Sequence, residues 1–219
     1  MDYIAVLDYK HLDNGVFLAS FARSLSQQSS SRGLIIHGDS AYTERLIQTG
    51  MMREDATVRA IKDLNHRLIA LLADHGVSTI GLNGYQRSLI SKNKNKIQVD
   101  GNQLKQLPDQ PHLLISNLVN DTQTGKTVSI NLADFASVLQ REMQIDEIMV
   151  FSLDESDEFI KKDKPHFISR DQFDTHDPHL QIPDEFKEIP VSIRLTTARL
   201  FADFPDTNGT TFISNSFEE

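Results

Sequence analysis

A turn between a buried strand and a helix holds the residues best placed to do chemistry. The apolar residues 34–36 predict the strand, His37-Gly38 the turn, and Asp39-Ser40 the start of the helix. Backbone N–H groups at such a junction bind anions such as phosphate. Asp39, however, adds a negative charge at the same place. The turn therefore predicts either a ligand site or a cap on the following helix, supplied by the side chain of Asp39 or Ser40.

Other polar residues also allow two interpretations. Asn83-Gly84 forms either a strand-end turn or a substrate contact, and Asp134 either complements a helix dipole or belongs to a site. His37 ends a buried strand, so we expect a hydrogen-bonded core histidine. The three lysines of a basic stretch form either a solvated hairpin tip or an anion contact. They are Lys92, Lys94 and Lys96.

A histidine-rich and aspartate-rich stretch near the C-terminal end raises the question of a metal site. Its spacing follows no helical ligand pattern, so we expect an exposed acidic loop and no metal. The residues concerned are His166, His176, His179, Asp171, Asp174 and Asp177.

Short apolar runs alternate with amphipathic segments along the chain, which favours a mainly parallel sheet covered by helices on both faces. Asp100-Gly101 predicts a hairpin turn between two short edge strands. The predicted strands are residues 3–7, 34–36, 77–82, 113–118, 147–153, 191–195 and 210–214, with residues 127–130 pairing back. The predicted helices are residues 16–25, 42–48, 55–74, 132–143 and 196–204.

Composition narrows the class of protein. A chain of 219 residues is long enough for one α/β domain, and without cysteine it has no disulfide or thiolate metal site. The net charge of −9 argues against nucleic acid as a partner. No apolar run reaches the roughly 20 residues of a membrane helix, and the first residues do not resemble a signal peptide. We expect a cytoplasmic protein without a membrane partner.

The order of five motifs resembles the amino-acid kinase family, and most closely its N-acetylglutamate kinase branch. Residues 35–40 are similar to the family's His-Gly-Gly-Gly loop, and residues 65–84 to its Asn-Lys-x-Leu helix with the Gly-Leu-Ser-Gly strand end. Residues 130–134 resemble Asn-x-Asn-Ala-Asp and residues 148–154 a Leu-Leu-Thr-Asp strand. The last motif, residues 191–212, resembles a closing strand pair that ends in Gly-Thr-x-Ile.

The resemblance implies a three-layer αβα sandwich with a mainly parallel sheet and a shortened C-terminal half. It implies one domain over residues 1–219, with a family-like core over 1–154 that includes the part binding an acylated amino acid. Residues 155–219 would be a truncated nucleotide-side part. Members of this family transfer the γ-phosphoryl group of ATP, with Mg²⁺ neutralising its charge, to an oxyanion that is usually a carboxylate. The implied catalytic residues are Lys10 and Asp134, and the implied substrate-binding residues are Gly38, Asp39, Ser40, Arg53, Asn83, Gly84 and Asn131.

The departures from the family pattern bear on activity. Asp8 stands where the first strand carries a lysine, and Asp39-Ser40 replace two glycines of the loop. Without those glycines a phosphate cannot approach the backbone as closely. Ile130 and Leu132 replace two asparagines, and no Gly-Gly-Met-x-x-Lys segment is found between residues 154 and 190.

Two functions follow as hypotheses. The first is a degenerate, non-catalytic relative that binds a small acidic acylated amino acid or a protein partner, with no cofactor assigned. The second is an active, divergent kinase of arginine biosynthesis that uses ATP and Mg²⁺. The apolar stripe of residues 55–74 motivates a homodimer in either case. An α/β binding protein unrelated to the family is the remaining alternative.

Overall fold

The computed structural model describes residues 1–28, 31–154, 166–169, 182–187, 191–206 and 210–214. Within them the chain forms twelve strands and seven α-helices. The strands are β1 (Tyr3–Leu7), β2 (Gly33–His37), β3 (Thr79–Asn83), β4 (Ile90–Asn93), β5 (Lys96–Val99), β6 (His112–Ser116), β7 (Leu118–Asp121), β8 (Thr127–Ser129), β9 (Glu147–Ser152), β10 (His166–Ser169), β11 (Ile193–Thr197) and β12 (Thr211–Ser214). The helices are α1 (Tyr9–Leu12), α2 (Gly15–Gln27), α3 (Tyr42–Gln48), α4 (Arg53–Asp74), α5 (Gly101–Lys105), α6 (Leu132–Met143) and α7 (Asp184–Lys187).

The main sheet has eight strands in the order β10-β12-β11-β9-β1-β2-β6-β3. Every neighbouring pair is parallel except β11 with β12. Strands from both ends of the chain therefore lie in one sheet. The mainly parallel sheet expected from the alternating pattern is confirmed.

The side chains of the central strands alternate between two cores, one on each face of the sheet. On β1, Ile4 and Val6 pack toward α6, whereas Ala5 and Leu7 pack toward α2 and α4. The same alternation continues on β2, β6 and β9. The resulting arrangement of helix, sheet and helix is the predicted three-layer αβα sandwich.

A second sheet, in the order β5-β4-β7-β8, continues from the carboxyl ends of β3 and β6. β4 and β7 are parallel, and each carries an antiparallel partner on its outer side. The predicted pairing of residues 127–130 with the strand before them is confirmed by β7 and β8. This small sheet leads the chain into α6, whose first turn belongs to the candidate site.

Two local predictions are wrong. The hairpin turn lies between Asn93 and Lys96 rather than at Asp100-Gly101. Asp100 instead caps α5, because its Oδ1 accepts the N–H of Gln103 at 3.0 Å. The predicted helix over residues 196–204 is wrong at its start, since β11 runs to Thr197 and only Leu200–Asp203 is helical, as a 3₁₀ turn.

The apolar stripe of α4 lies largely inside the chain's own core. Ile61, Leu64, Leu68 and Leu72 are buried, and the last three pack in the core shared with α2. The stripe that motivated a homodimer is thus already used within one copy. The dimer stays a prediction that needs another surface.

Candidate functional site

The carboxyl edge of the main sheet gathers most of the predicted site residues. The hydrogen-bonding register aligns the last residues of four adjacent parallel strands. In spatial order they are Leu7, His37, Ser116 and Asn83. The residues that follow them leave the sheet on the same side. They are Asp8, Gly38, Asn117 and Gly84.

His37 is a core histidine, as predicted. It is fully buried, with Nδ1 3.2 Å from the carbonyl oxygen of Gly38 and Nε2 3.1 Å from Nδ2 of Asn65. Asn65 also donates to the carbonyl of Leu82 at 3.0 Å. Since Asn65 Nδ2 is a donor, Nε2 is the acceptor and the ring is neutral. Burial lowers the pKa of His37 to about 4.

Asn83 and Gly84 join the two sheets. The side chain of Asn83 is buried and its Oδ1 accepts the hydroxyl of Ser116 at 2.9 Å. A Cβ on Gly84 would lie only 2.6 Å from the carbonyl oxygen of Leu118. The close backbone approach explains why this position holds glycine. Asn83 and Gly84 therefore both serve to join the main sheet to the small sheet at its carboxyl edge.

Asp39 and Ser40 organise the turn before α3. Oδ1 of Asp39 accepts the N–H of Ser40 at 2.7 Å and also the hydroxyl of Thr43. Oγ of Ser40 accepts the N–H of Tyr42 at 3.3 Å. The N-cap position itself belongs to Ala41, so the prediction that Asp39 or Ser40 is the helix cap is wrong in that strict sense. The carboxylate nonetheless has local partners on α3.

The surroundings of Asp39 are acidic. Burial raises the pKa of Asp39, and the charges of Glu44 and Asp13 raise it further, while the hydrogen bonds from Thr43 and Ser40 oppose the rise. Asp13 accepts the N–H of Ala41 at 2.7 Å. Arg53, at the start of α4, is exposed and pairs with Glu44 at 2.8 Å. Its guanidinium thus already has a carboxylate partner within the chain.

Asp8, which follows β1, is held by His11. Nδ1 of His11 lies 2.6 Å from Oδ1 of Asp8, and its Nε2 lies 2.9 Å from the carbonyl of Phe151. Asp8 also caps α1 by accepting the N–H groups of Lys10 and His11. Burial alone would raise the pKa of Asp8, but the hydrogen bonds and charge of His11 outweigh it, so the pKa is lowered.

The first turn of α6 reaches the same edge. A Cβ on Gly38 would lie 3.2 Å from Nδ2 of Asn117 and 3.3 Å from Cδ1 of Leu132. Asn131 is exposed and caps α6, since its Oδ1 accepts the N–H groups of Ala133 and Asp134 at 2.8 and 3.0 Å. The structure therefore brings Gly38 together with the start of α6, as the motif order implied.

The two residues expected to carry catalysis are not joined. Lys10 is exposed on α1, and Asp134 is exposed in the first turn of α6. Within the described residues no hydrogen bond or ion pair links their side chains. Their catalytic roles stay predictions.

The basic stretch forms a hairpin tip, as one of its two interpretations expected. β4 and β5 pair antiparallel, and Lys94 at the tip has a left-handed backbone with φ of 54°. Lys94 and Lys96 are exposed and Lys92 is half-buried. Solvation accounts for the two exposed lysines.

The expected acidic loop lies mostly outside the described residues, with only His166 inside them, on β10. In the described ranges no group of three or more His, Asp or Glu side chains could hold a metal ion. None of the helices in those ranges is long and apolar enough to cross a membrane. The segment searched for a Gly-Gly-Met-x-x-Lys motif is also largely outside them.

Sequence reasoning assigned no role to three residues that shape this edge: His11, Asn117 and Glu185, whose Oε2 accepts the N–H of Leu132 at 3.1 Å. It used Asn65 only as the first residue of a family motif and not as the partner of His37. Asn117 follows an apolar strand directly, which is a usable signal for a residue at the carboxyl edge. Asn65 interrupts the polar-apolar pattern of a helix on its buried side, which is also a signal. Glu185 lies in a charged, proline-rich stretch that offers none.

The sequence matches no protein-family model and no curated protein. Solved structures, in contrast, match the fold over nearly the whole chain. N-acetylglutamate synthase from Neisseria gonorrhoeae, complexed with coenzyme A and N-acetyl-glutamate, has a TM-score of 0.68 at 16% identity, covering 99% of this chain and 60% of the synthase chain. Aspartate kinase from Synechocystis has a TM-score of 0.71 at 8% identity, covering 99% of this chain and 40% of the kinase chain.

Isopentenyl phosphate kinase from T. acidophilum has a TM-score of 0.62 at 10% identity, covering 97% of this chain and 100% of its own. All three structures are of amino-acid kinase family members. The protein has the amino-acid kinase fold, which confirms the fold class that the motif order implied. At these identities the likeness shows the fold alone. This chain also spans only 60% of the synthase chain and 40% of the aspartate kinase chain.

Proposed function

We propose that this protein binds a small N-acylated amino acid at the carboxyl edge of its sheet and does not transfer phosphate. It would be a non-catalytic relative of the N-acetylglutamate kinases. The resemblance of residues 35–40 and 130–134 to that branch supports the ligand class. So does the likeness in fold to a synthase whose structure contains N-acetyl-glutamate.

The observation that carries the non-catalytic part of the proposal is the Asp39 carboxylate, which takes the position of a loop glycine in the resemblance to the family. The carboxylate accepts hydrogen bonds from Ser40 and Thr43, and the negative charges of Glu44 and Asp13 lie close enough to act on it. A carboxylate about 5 Å from one phosphate charge, at an effective dielectric constant near 20, costs roughly 3 kcal/mol. That free energy corresponds to a loss of about a hundredfold in affinity.

The replacement of the family lysine by Asp8 supports the same conclusion. Phosphoryl transfer depends on positive charge and backbone amides around the transferred group. Here the residue after β1 is a carboxylate that pairs with His11 and caps α1. The register pairs Leu7 with His37, so Asp8 and Gly38 leave neighbouring strands on the same side of the sheet.

The resemblance implies ATP with Mg²⁺ for an active member of the family, and the residues at this edge do not fit the nucleotide phosphates. Asp8 and Asp39 supply carboxylates where the bound nucleotide would need a lysine and glycine amides. Arg53, a cation on α4, is already paired with Glu44.

An assay for acyl phosphate tests the proposal. The protein is incubated with ATP, Mg²⁺, hydroxylamine and N-acetylglutamate, and then with related N-acyl amino acids. We expect no hydroxamate above the level of a reaction without protein. Protein-dependent hydroxamate that is lost in both Lys10→Ala and Asp134→Asn, but retained in Lys105→Ala, would establish the active-kinase hypothesis instead. Lys105 on α5 is exposed and serves as the matched control.

A further inference from the structure

A distant part of the chain supplies a carboxylate to the first turn of α6. The N–H of Leu132 donates to Oε2 of Glu185 at 3.1 Å, and Glu185 belongs to α7. The next two N–H groups of the turn are bound by Asn131. The start of a helix is where an anion is most strongly stabilised. In this protein an internal anion already occupies it.

Packing positions α7 at this place. Phe186 is fully buried, and Ile182 is nearly so, in the same core as Leu132 and Phe135 of α6. The N–H of Phe186 also donates to the carbonyl of Pro183 at 2.8 Å. Glu185 itself is exposed, between these anchors. The contact with Leu132 therefore comes from a segment that is held in place by buried side chains. Because Glu185 is exposed, water can reach it.

A second observation at the same place points to a ligand. Asn117 is only 6% exposed, and its Oδ1 is buried without a hydrogen-bond partner in the described part of the chain. Its Nδ2 donates to the carbonyl of Ile130, two residues before α6, and lies beside Gly38. A buried acceptor without a donor is costly. Asn117 and Leu132 meet at Gly38, because a Cβ there would lie 3.2 Å from Nδ2 of Asn117 and 3.3 Å from Cδ1 of Leu132. A ligand that carries an N–H next to a carboxylate would give Asn117 a donor and would compete with Glu185 for the N–H of Leu132.

We propose that Glu185 is a built-in, displaceable substitute for the ligand carboxylate. In the free protein it binds the N–H of Leu132. In the complex the ligand carboxylate takes that N–H, the acylated nitrogen donates to Asn117, and Glu185 turns into solvent. This inference rests on the proposed function, because it describes the regulation of the same binding site. The affinity of the protein for its ligand would then depend on competition with the Glu185 carboxylate.

The test compares the binding of N-acetylglutamate by calorimetry to wild type, Glu185→Ala and Glu142→Ala. Glu142 is an exposed glutamate at the other end of α6, so its removal changes the net charge equally. Removal of a competing charge from a helix N-terminus should raise affinity by about tenfold or more. We expect Glu185→Ala to bind at least that much more tightly than wild type, and Glu142→Ala to bind like wild type.

Equal affinities for wild type and Glu185→Ala, or no binding to either, would overturn the inference. So would an equal gain in Glu142→Ala, because it would reflect net charge alone. If Glu185→Ala does not fold, Glu185→Gln removes the charge at nearly constant volume and the same outcomes apply. The hydroxamate assay is independent of these titrations. Formation of hydroxamate would overturn the proposed function even if Glu185 competes with the ligand. Equal affinities of wild type and Glu185→Ala would overturn only the competition by Glu185 and would leave the proposed function standing.

Discussion

Replacing Gly84 with alanine is expected to lower the free energy of unfolding by about 3 kcal/mol. The new Cβ would lie 2.6 Å from the carbonyl oxygen of Leu118 and 3.3 Å from that of Ser116. Both oxygens belong to the backbone where the chain passes from the main sheet into the small sheet. A side chain could rotate away from the methyl group, but these carbonyls can move only if the junction shifts.

Urea denaturation of the wild type and of the Gly84→Ala variant measures this effect. Gly15→Ala is the matched control, since a Cβ there would meet nothing within 4 Å and the residue lies at the start of α2. We expect Gly15→Ala to be neutral or slightly stabilising. Equal unfolding free energies for Gly84→Ala and wild type would show that the two sheets do not meet as described.

Lowering the pH from 7 to about 4.5 should destabilise the protein, because His37 is buried in its neutral form. Burial lowers the folded-state pKa of His37 to about 4, whereas in the unfolded chain it is about 6.5. The unfolded state therefore binds more protons in this window. The stability contributed by the neutral form is complete above pH 6.5 and is lost progressively down to pH 4, by about 3 kcal/mol in total.

Other groups affect the same window and need controls. Burial, with the charge of Arg32, also lowers the pKa of His112, which adds loss of the same sign. The raised pKa of Asp39 acts oppositely, because its protonated form favours the folded state as the pH falls. Asp8 has a lowered pKa and contributes loss only below its unfolded value of 3.8. We expect His37→Gln to flatten most of the slope and His112→Gln to flatten less. A slope unchanged by His37→Gln would contradict a neutral, buried His37.

The main elements could be predicted because local signals and tertiary demands agree in them. Residues 34–36 are apolar on both faces because β2 is covered on both, and glycine and polar residues bound the run. The stripe of α4 has helical spacing because one side of this helix packs on the sheet. Such agreement between pattern and environment is what makes an element recognisable from sequence.

The failures come from residues whose local chemistry serves two structures equally well. Asp-Gly is favoured both in hairpin turns and at the start of a helix, and only the bond from Asp100 to the N–H of Gln103 distinguishes them. The sequence around Thr196 is compatible with either a helix or a strand. Thr196 belongs to a strand because it pairs with Phe151 of β9. The local sequence does not show which of the two possible contacts each residue makes.

The sequence predicts where the candidate site residues lie in the sheet, but not which hydrogen-bond partners they have. The strand-end positions of Gly38, Asn83 and Gly84 follow from the pattern of a parallel sheet. The partners that occupy these groups come from elsewhere in the chain: Ser116 binds Asn83, and Glu185 binds the start of α6. Long-range hydrogen bonds of this kind leave no periodicity. Here they occupy polar groups at the carboxyl edge of the sheet.

Calorimetric titration with ATP and Mg²⁺ tests the central claim most directly. In the resemblance to the amino-acid kinase family, Asp8 and Asp39 take the positions of a lysine and a loop glycine. If that placement holds, the two carboxylates oppose phosphate, and we expect no saturable binding up to about 1 mM nucleotide. One site per chain with a dissociation constant below about 1 mM would contradict it.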